Sequence, residues 1–110
     1  MSFNIFRSLH NLKLIKKIEA ISFAKNDRIA RLKGFIRKGE IKEDIEIIIF
    51  KGFTSSTTHP TEWDMDKETI PNNTIFEKGE ILKAPLNPYM EEIVLSSNNP
   101  NELTNIKNWK

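Results

Sequence analysis

Residues 28–53 read RIARLKGFIRKGEIKEDIEIIIFKGF, and the spacing of their apolar side chains decides the fold class. Ala30, Leu32, Gly34 and Ile36 fall on alternate positions, with Arg31, Lys33, Phe35 and Arg37 between them. A period of two puts successive side chains on opposite faces of an extended chain, so Arg28 to Arg37 is predicted as a half-buried strand. Lys38-Gly39-Glu40 follows as a turn. Beyond it, Glu43 to Phe53 carries Ile45, Ile47, Ile48, Ile49 and Phe50, apolar on both faces at its centre, which predicts the most buried strand. Paired as a hairpin, the two strands set Arg31, Lys33 and Arg37 across from Glu43, Asp44 and Glu46, where facing opposite charges contribute ~0.2 to 1 kcal/mol each.

That pairing bears on a charge asymmetry hidden by the overall net charge of +2. Residues 1–40 hold ten basic and three acidic side chains, a net of +7, whereas residues 41–110 hold seven basic and twelve acidic, a net of −5. Neutralisation inside the sheet is the favoured reading; a basic arm for an anionic partner is the other.

Upstream, Ile5, Leu9, Leu12, Ile15, Ile18 and Ile21 recur at intervals of three or four, predicting an amphipathic helix that ends near Ala24, before Asn26-Asp27. Lys13, Lys16 and Lys17 flank the apolar positions, so the helix docks on the sheet or, in a second reading, lies on a membrane surface with Phe3, Ile5, Phe6 and Leu9 inward. Downstream, residues 54–73 are polar, rich in hydroxyls and bounded by Pro60 and Pro71, a long loop. Thr74 to Lys83 resumes as a strand with a bulge at Gly79. Tyr89 to Leu95 fits either a last strand or a helical turn. Asn99-Pro100-Asn101-Glu102 opens a short helix running to about Asn108, with fraying at the terminus.

The expected fold is therefore α+β: an N-terminal helix packed on a small antiparallel sheet of three to four strands, curled toward a half-open barrel. It forms one domain over residues 1–110, with the helix in 1–26, a β-rich core in 28–95 and a short helix or tail in 98–110. The longest apolar run is Ile47 to Phe50, far short of the roughly 20 residues a transmembrane helix requires. With no cysteine there is neither a disulfide nor a thiolate nucleophile.

Chemistry-bearing residues gather in the loop. Thr54-Ser55-Ser56-Thr57-Thr58-His59 offers hydroxyls beside an imidazole, with Asp64 and Asp66 to orient it. Ser and Thr also bond their own backbone in consecutive turns, and no nucleophile-elbow motif is present, so the chain is read as no enzyme. Asp64-x-Asp66-x-Glu68 begins like a calcium loop, yet its sixth position is Thr69 and its twelfth Ile75, so no metal and no cofactor is expected. Ser55, Ser56, Thr58, His59, Trp63, Asp64 and Asp66 form the candidate binding set, Trp63 as the anchor for a protein partner. The alternative is a nucleic acid on Arg28, Arg31, Lys33, Arg37 and Lys38, with Phe35 as a stacking face.

Phe50-Lys51-Gly52-Phe53-Thr54-Ser55-Ser56, then Pro60-Thr61, Trp63-Asp64-Met65-Asp66, Ile70-Pro71 and Ala84-Pro85-Leu86-Asn87-Pro88-Tyr89 together resemble a family of small uncharacterised cyanobacterial and plastid proteins. The likeness covers residues 45–90. It departs from the family's pattern at Met65, at His59 and after Tyr89. The resemblance implies a photosynthetic lineage, hence cyanobacterial cytoplasm or plastid stroma, which suits a chain rich in Ile, Lys and Asn. It implies no activity. The expected role is a non-catalytic interaction subunit or assembly factor of a larger complex.

Overall fold

The computed structural model describes residues 2–57 and 74–110, with side chains from Leu9 onward except Lys38. Helix α1 (Ser2–Ala24) precedes strands β1 (Arg28–Lys38), β2 (Ile41–Phe50), β3 (Phe53–Ser56), β4 (Thr74–Lys83) and β5 (Ile93–Ser97), and two 3-10 turns close the chain (Pro100–Thr104 and Ile106–Trp109). The α+β class holds, with five strands rather than three or four. They form an open antiparallel sheet in the order β3-β2-β1-β4-β5, with no barrel closure.

Two tight turns set the register on the β1 side. Lys38 pairs with Ile41 across Gly39-Glu40, and Gly39 takes φ 60, the left-handed conformation required at the first central position of a type II′ hairpin. Phe50 pairs with Phe53 across Lys51-Gly52, both left-handed (φ 52 and 86), as in a type I′ turn. Thus the segment leaving β2 is not all loop, as expected, but folds straight back as β3.

β1 lies at the centre of the sheet, and β2 runs between β1 and β3; β2 is not apolar-buried on both faces but alternates, with Ile45, Ile47 and Ile49 buried and Glu46 and Ile48 on the other face. Beneath α1, Ala30, Leu32 and Ile36 meet those isoleucines, Ile81, and Leu14, Ile15 and Ile18 of the helix. Register shifts where Lys33 pairs with Lys78 but Gly34 with Phe76, leaving Glu77 as the extra residue. The bulge therefore sits at Glu77 rather than at Gly79. A side chain at Gly34 would collide with the Ile75 carbonyl oxygen (1.9 Å), and one at Gly79 would meet Leu103 (2.7 Å). Both glycines permit close approach.

The helical face matches the expected one at Ile15, Ile18 and Ile21, which pack on the core, and differs from it before them. Leu9 and Leu12 are half exposed, whereas Asn11, Leu14 and Ser22 are buried. Steps of three fall short of a 3.6-residue turn by about 60° each, so a stripe running 9, 12, 15, 18, 21 winds around the helix instead of following one face. At the other end, Ile93–Ser97 is a strand, and the expected C-terminal helix is two 3-10 turns capped by Asn99 and Asn105, whose side chains accept from the amides of Asn101 and Lys107. Trp109 does not fray. It is fully buried, and its indole N–H donates to the Leu103 carbonyl at 2.7 Å.

Candidate functional site

On the sheet face opposite α1, β1 presents Arg31 and Lys33 between Glu46 of β2 and Lys78 and Glu80 of β4. Arg31 is 7% exposed and Glu80 3%, unusual burial for charged side chains, and it is tolerated because each finds a partner. Arg31 Nε donates to Glu80 Oε1 at 2.8 Å, while its two terminal nitrogens donate to both oxygens of Glu91 at 2.7 and 3.0 Å. The guanidinium is thus gripped from two directions, with the bidentate fork on Glu91. Lys33 Nζ lies 3.7 Å from Glu46 and 3.6 Å from Glu80, and Lys78 Nζ 3.9 Å from Glu80.

The charges tune one another. The hydrogen bonds that Arg31 donates to Glu91, and after them the one to Glu80, hold it above its ordinary pKa despite burial. Burial pushes Glu80 upward, yet Arg31, Lys33 and Lys78 together outweigh it and leave the carboxyl below its usual value. Arg31 also draws Glu91 down. Beside this network, Lys33, Gly34, Asp44, Glu46, Glu77 and Lys78 line an open depression of about 490 Å³. Its rim mixes both signs, so it offers no single-sign cradle for an anion.

What the network does is hold the β4–β5 connection. Glu91 belongs to that connection, and Lys83 N–H donates to the Glu92 carbonyl at 2.9 Å while Ala84 N–H donates to the Asp27 carbonyl at 3.0 Å. Asn87 organises the bend: its side-chain oxygen accepts from Tyr89 N–H (2.9 Å) and its carbonyl from Met90 N–H (3.1 Å). The outcome is a bonded loop with Tyr89 96% and Met90 71% exposed, and with Leu86 and Ile93 also in solvent. An aromatic ring and a thioether thus stand in solvent on a backbone tied by hydrogen bonds.

Of the expected binding set, Ser55 and Ser56 lie on edge strand β3, while Thr58, His59, Trp63, Asp64 and Asp66 fall outside the described residues. The hydroxyls there serve the fold: Thr54 donates to Glu19 of α1 at 2.7 Å, Ser56 to the Glu46 carbonyl at 3.4 Å, and Thr57 to the Glu46 carboxylate at 2.6 Å. Of the basic set, Arg31 and Lys33 belong to the network, and Arg28 bonds Asp27 and a main-chain oxygen of Lys110. Arg37 sits opposite Lys42 rather than an acid, and Lys38 opposite Ile41. Glu80, Glu91, Tyr89 and Met90 are the residues missed by sequence reasoning. Their one visible signal was the Asn87-Pro88-Tyr89 turn beside a pair of glutamates.

Residues 15–106 match a family described as a domain of unknown function, DUF7734. No curated protein and no solved structure matches the chain.

Proposed function

The chain belongs to the DUF7734 family, and from its own geometry we propose that it is a non-catalytic interaction subunit or assembly factor of a larger complex. The observation that carries this reading is the braced β4–β5 connection, which displays Tyr89 and Met90 on a backbone tied by Asn87 and by the Arg31–Glu91 fork. Large exposed side chains on a pre-set loop lose little conformational entropy on binding, and tyrosine is enriched among residues that dominate binding energy. The likeness of Phe50–Ser56 and Ala84–Tyr89 to cyanobacterial and plastid sequences supports a photosynthetic host, with the cytoplasm or stroma as the place of action. The segment from Thr54 to Pro71, with Trp63 as anchor, is the second contact we assign, its acids Glu62, Asp64, Asp66 and Glu68 favouring a basic patch.

A nucleic acid on Arg28, Arg31, Lys33, Arg37 and Lys38 is the less favoured reading. Arg31 would have to abandon Glu80 and Glu91 to reach a phosphate, leaving a buried carboxylate behind. The deciding experiment is co-purification from the native host with wild type, Tyr89→Ala/Met90→Ala, Trp63→Ala and Asp64→Asn/Asp66→Asn, each checked for an unchanged melting temperature. A protein partner recovered with wild type and lost with the Tyr89→Ala/Met90→Ala variant supports the reading. Equal recovery with every variant sinks it, and binding of nucleic acid that weakens steeply with salt replaces it.

A further inference from the structure

We propose that the outward face of α1 is a docking site for an anionic lipid bilayer, held in the plane of the membrane surface. It goes beyond the contact surface at Tyr89 and rests on different residues. α1 is apolar on two sides. Leu14, Ile15 and Ile18 are at most 5% exposed and serve the sheet, while Leu9, Leu12 and Phe23 are 50%, 48% and 74% exposed. At 100° per residue, the latter three fall within about 60° of one another around the helix axis, on the side away from Ile18. Lys16 projects among them, Lys13 and Lys17 lie along one side, and Glu19 borders the other; all three lysines are exposed.

Charge selects the occupant. The sequence of α1 holds four basic residues and one acid, Glu19, which is engaged by Lys16 at 3.6 Å and by the Thr54 hydroxyl at 2.7 Å. A second copy of the chain would bring the same lysines against these and be repelled, whereas an anionic surface is attracted. The arrangement of the apolar residues points the same way. They form a line interrupted by Lys16 and Ala20 rather than a groove shaped for a side chain, and lysine stems of this kind lie along apolar surface while their ammonium groups reach headgroups. No helix among the described residues is long and apolar enough to cross a membrane, so the geometry is one of lying on the surface.

The experiment is flotation of the full chain with phosphatidylcholine vesicles, with and without phosphatidylglycerol, at low and high salt. Wild type floats with the anionic vesicles at low salt, stays behind with phosphatidylcholine alone, and is released by added salt. Lys13→Gln and Lys17→Gln each weaken the partition about fivefold. Phe23→Ser weakens it too, and Leu9→Gln replaces that variant if its melting temperature falls. Tyr89→Ala floats as wild type does, which separates this face from the proposed protein contact. Wild type that remains in the aqueous fraction overturns the proposal, as does flotation unaltered in the lysine variants. Capture of an acidic protein through these same residues, without flotation, assigns the face to a protein and also overturns it.

Discussion

Arg31→Met is the substitution that tests the charged network most directly. Methionine fills most of the arginine stem's volume, so the change removes charge and hydrogen bonds more than packing. It deletes the 2.8 Å bond to Glu80 and the fork to Glu91. Glu91 is partly exposed and resolvates, but Glu80, its side chain 4% exposed, is left with Lys33 and Lys78 at 3.6 and 3.9 Å. Breaking a buried pair by removing one partner costs about 3 to 5 kcal/mol, and the two nearby lysines place the expected loss at the lower end, about 3 kcal/mol. The measurement is urea unfolding at several pH values. In wild type, Glu80 and Glu91 have folded pKa values below their ordinary ones, so their stabilisation is complete above the unfolded carboxylate value of about 4.3 and is lost as pH falls through the folded values. In the variant, burial dominates at Glu80 and raises its pKa, reversing the sign of its contribution. The stability gap between the two proteins therefore narrows on acidification. A loss under about 1 kcal/mol at neutral pH, or a gap that stays constant down to acid pH, refutes the network's assigned role. Arg31→Met/Glu80→Met leaves no orphaned charge between them and recovers much of the loss.

Gly34→Ala places a methyl carbon 1.9 Å from the Ile75 carbonyl oxygen, a backbone clash that only a shift of β4 relieves, so the expected loss exceeds about 3 kcal/mol or the protein fails to accumulate as a soluble folded species; near-wild-type thermal unfolding would falsify the bulge geometry. Lys51→Asn acts in the opposite direction: Lys51 holds φ 52 in the β2–β3 turn, a region costly to most residues and cheaper for Asn, so the midpoint of unfolding rises by the equivalent of about 0.5 to 1 kcal/mol.

The period-two alternation at Ala30, Leu32 and Ile36 made β1 legible, because a half-buried strand at any position in a sheet repeats its burial every second residue. The same signal revealed β2 but overstated its burial. Ile48 gave it an apolar second face, which reads as burial on both sides, whereas in the fold Ile48 is only half-buried, between Arg31 and Ser55 on the face opposite α1. β3 was illegible for a chemical reason: its turn is Lys51-Gly52, and lysine is a poor marker of a left-handed turn residue, unlike the Asn or Asp that usually announces a type I′ hairpin. The helix was found and its face only in part: Ile15, Ile18 and Ile21 meet the core, but Leu9 and Leu12 are as apolar as they are, and hydrophobicity alone does not say which of two apolar sides meets the sheet. The candidate site lay deeper still. Glu80 and Glu91 are separated from Arg31 in sequence by 49 and 60 positions, and only the strand order brings them together.

The sign asymmetry along the chain acquires its meaning from that order. In a hairpin, Arg31, Lys33 and Arg37 were expected to meet acids of β2; in the sheet, Lys33 does face Glu46, while Arg31 faces Ile48 on that side and takes its closest carboxylates from Glu80 and Glu91, far along the chain. A central strand with cations on one face draws its carboxylates from both neighbours: Glu46 from β2, Glu80 from β4, and Glu91 from the connection beyond β4. Each of those contacts fixes a piece of backbone as well as a charge. The Glu91 fork is the case where this matters for function, because it ties to the sheet a loop that carries Tyr89 two residues earlier. Charge pairing that looks like simple neutralisation in the sequence thus becomes positional control of the contact surface proposed at Tyr89 and Met90. The lysines of α1 stand outside the scheme, on the far side of the core from Glu46, Glu80 and Glu91. Their positive charge is not consumed by the sheet, and the face they occupy is for that reason the natural place to meet an anionic surface.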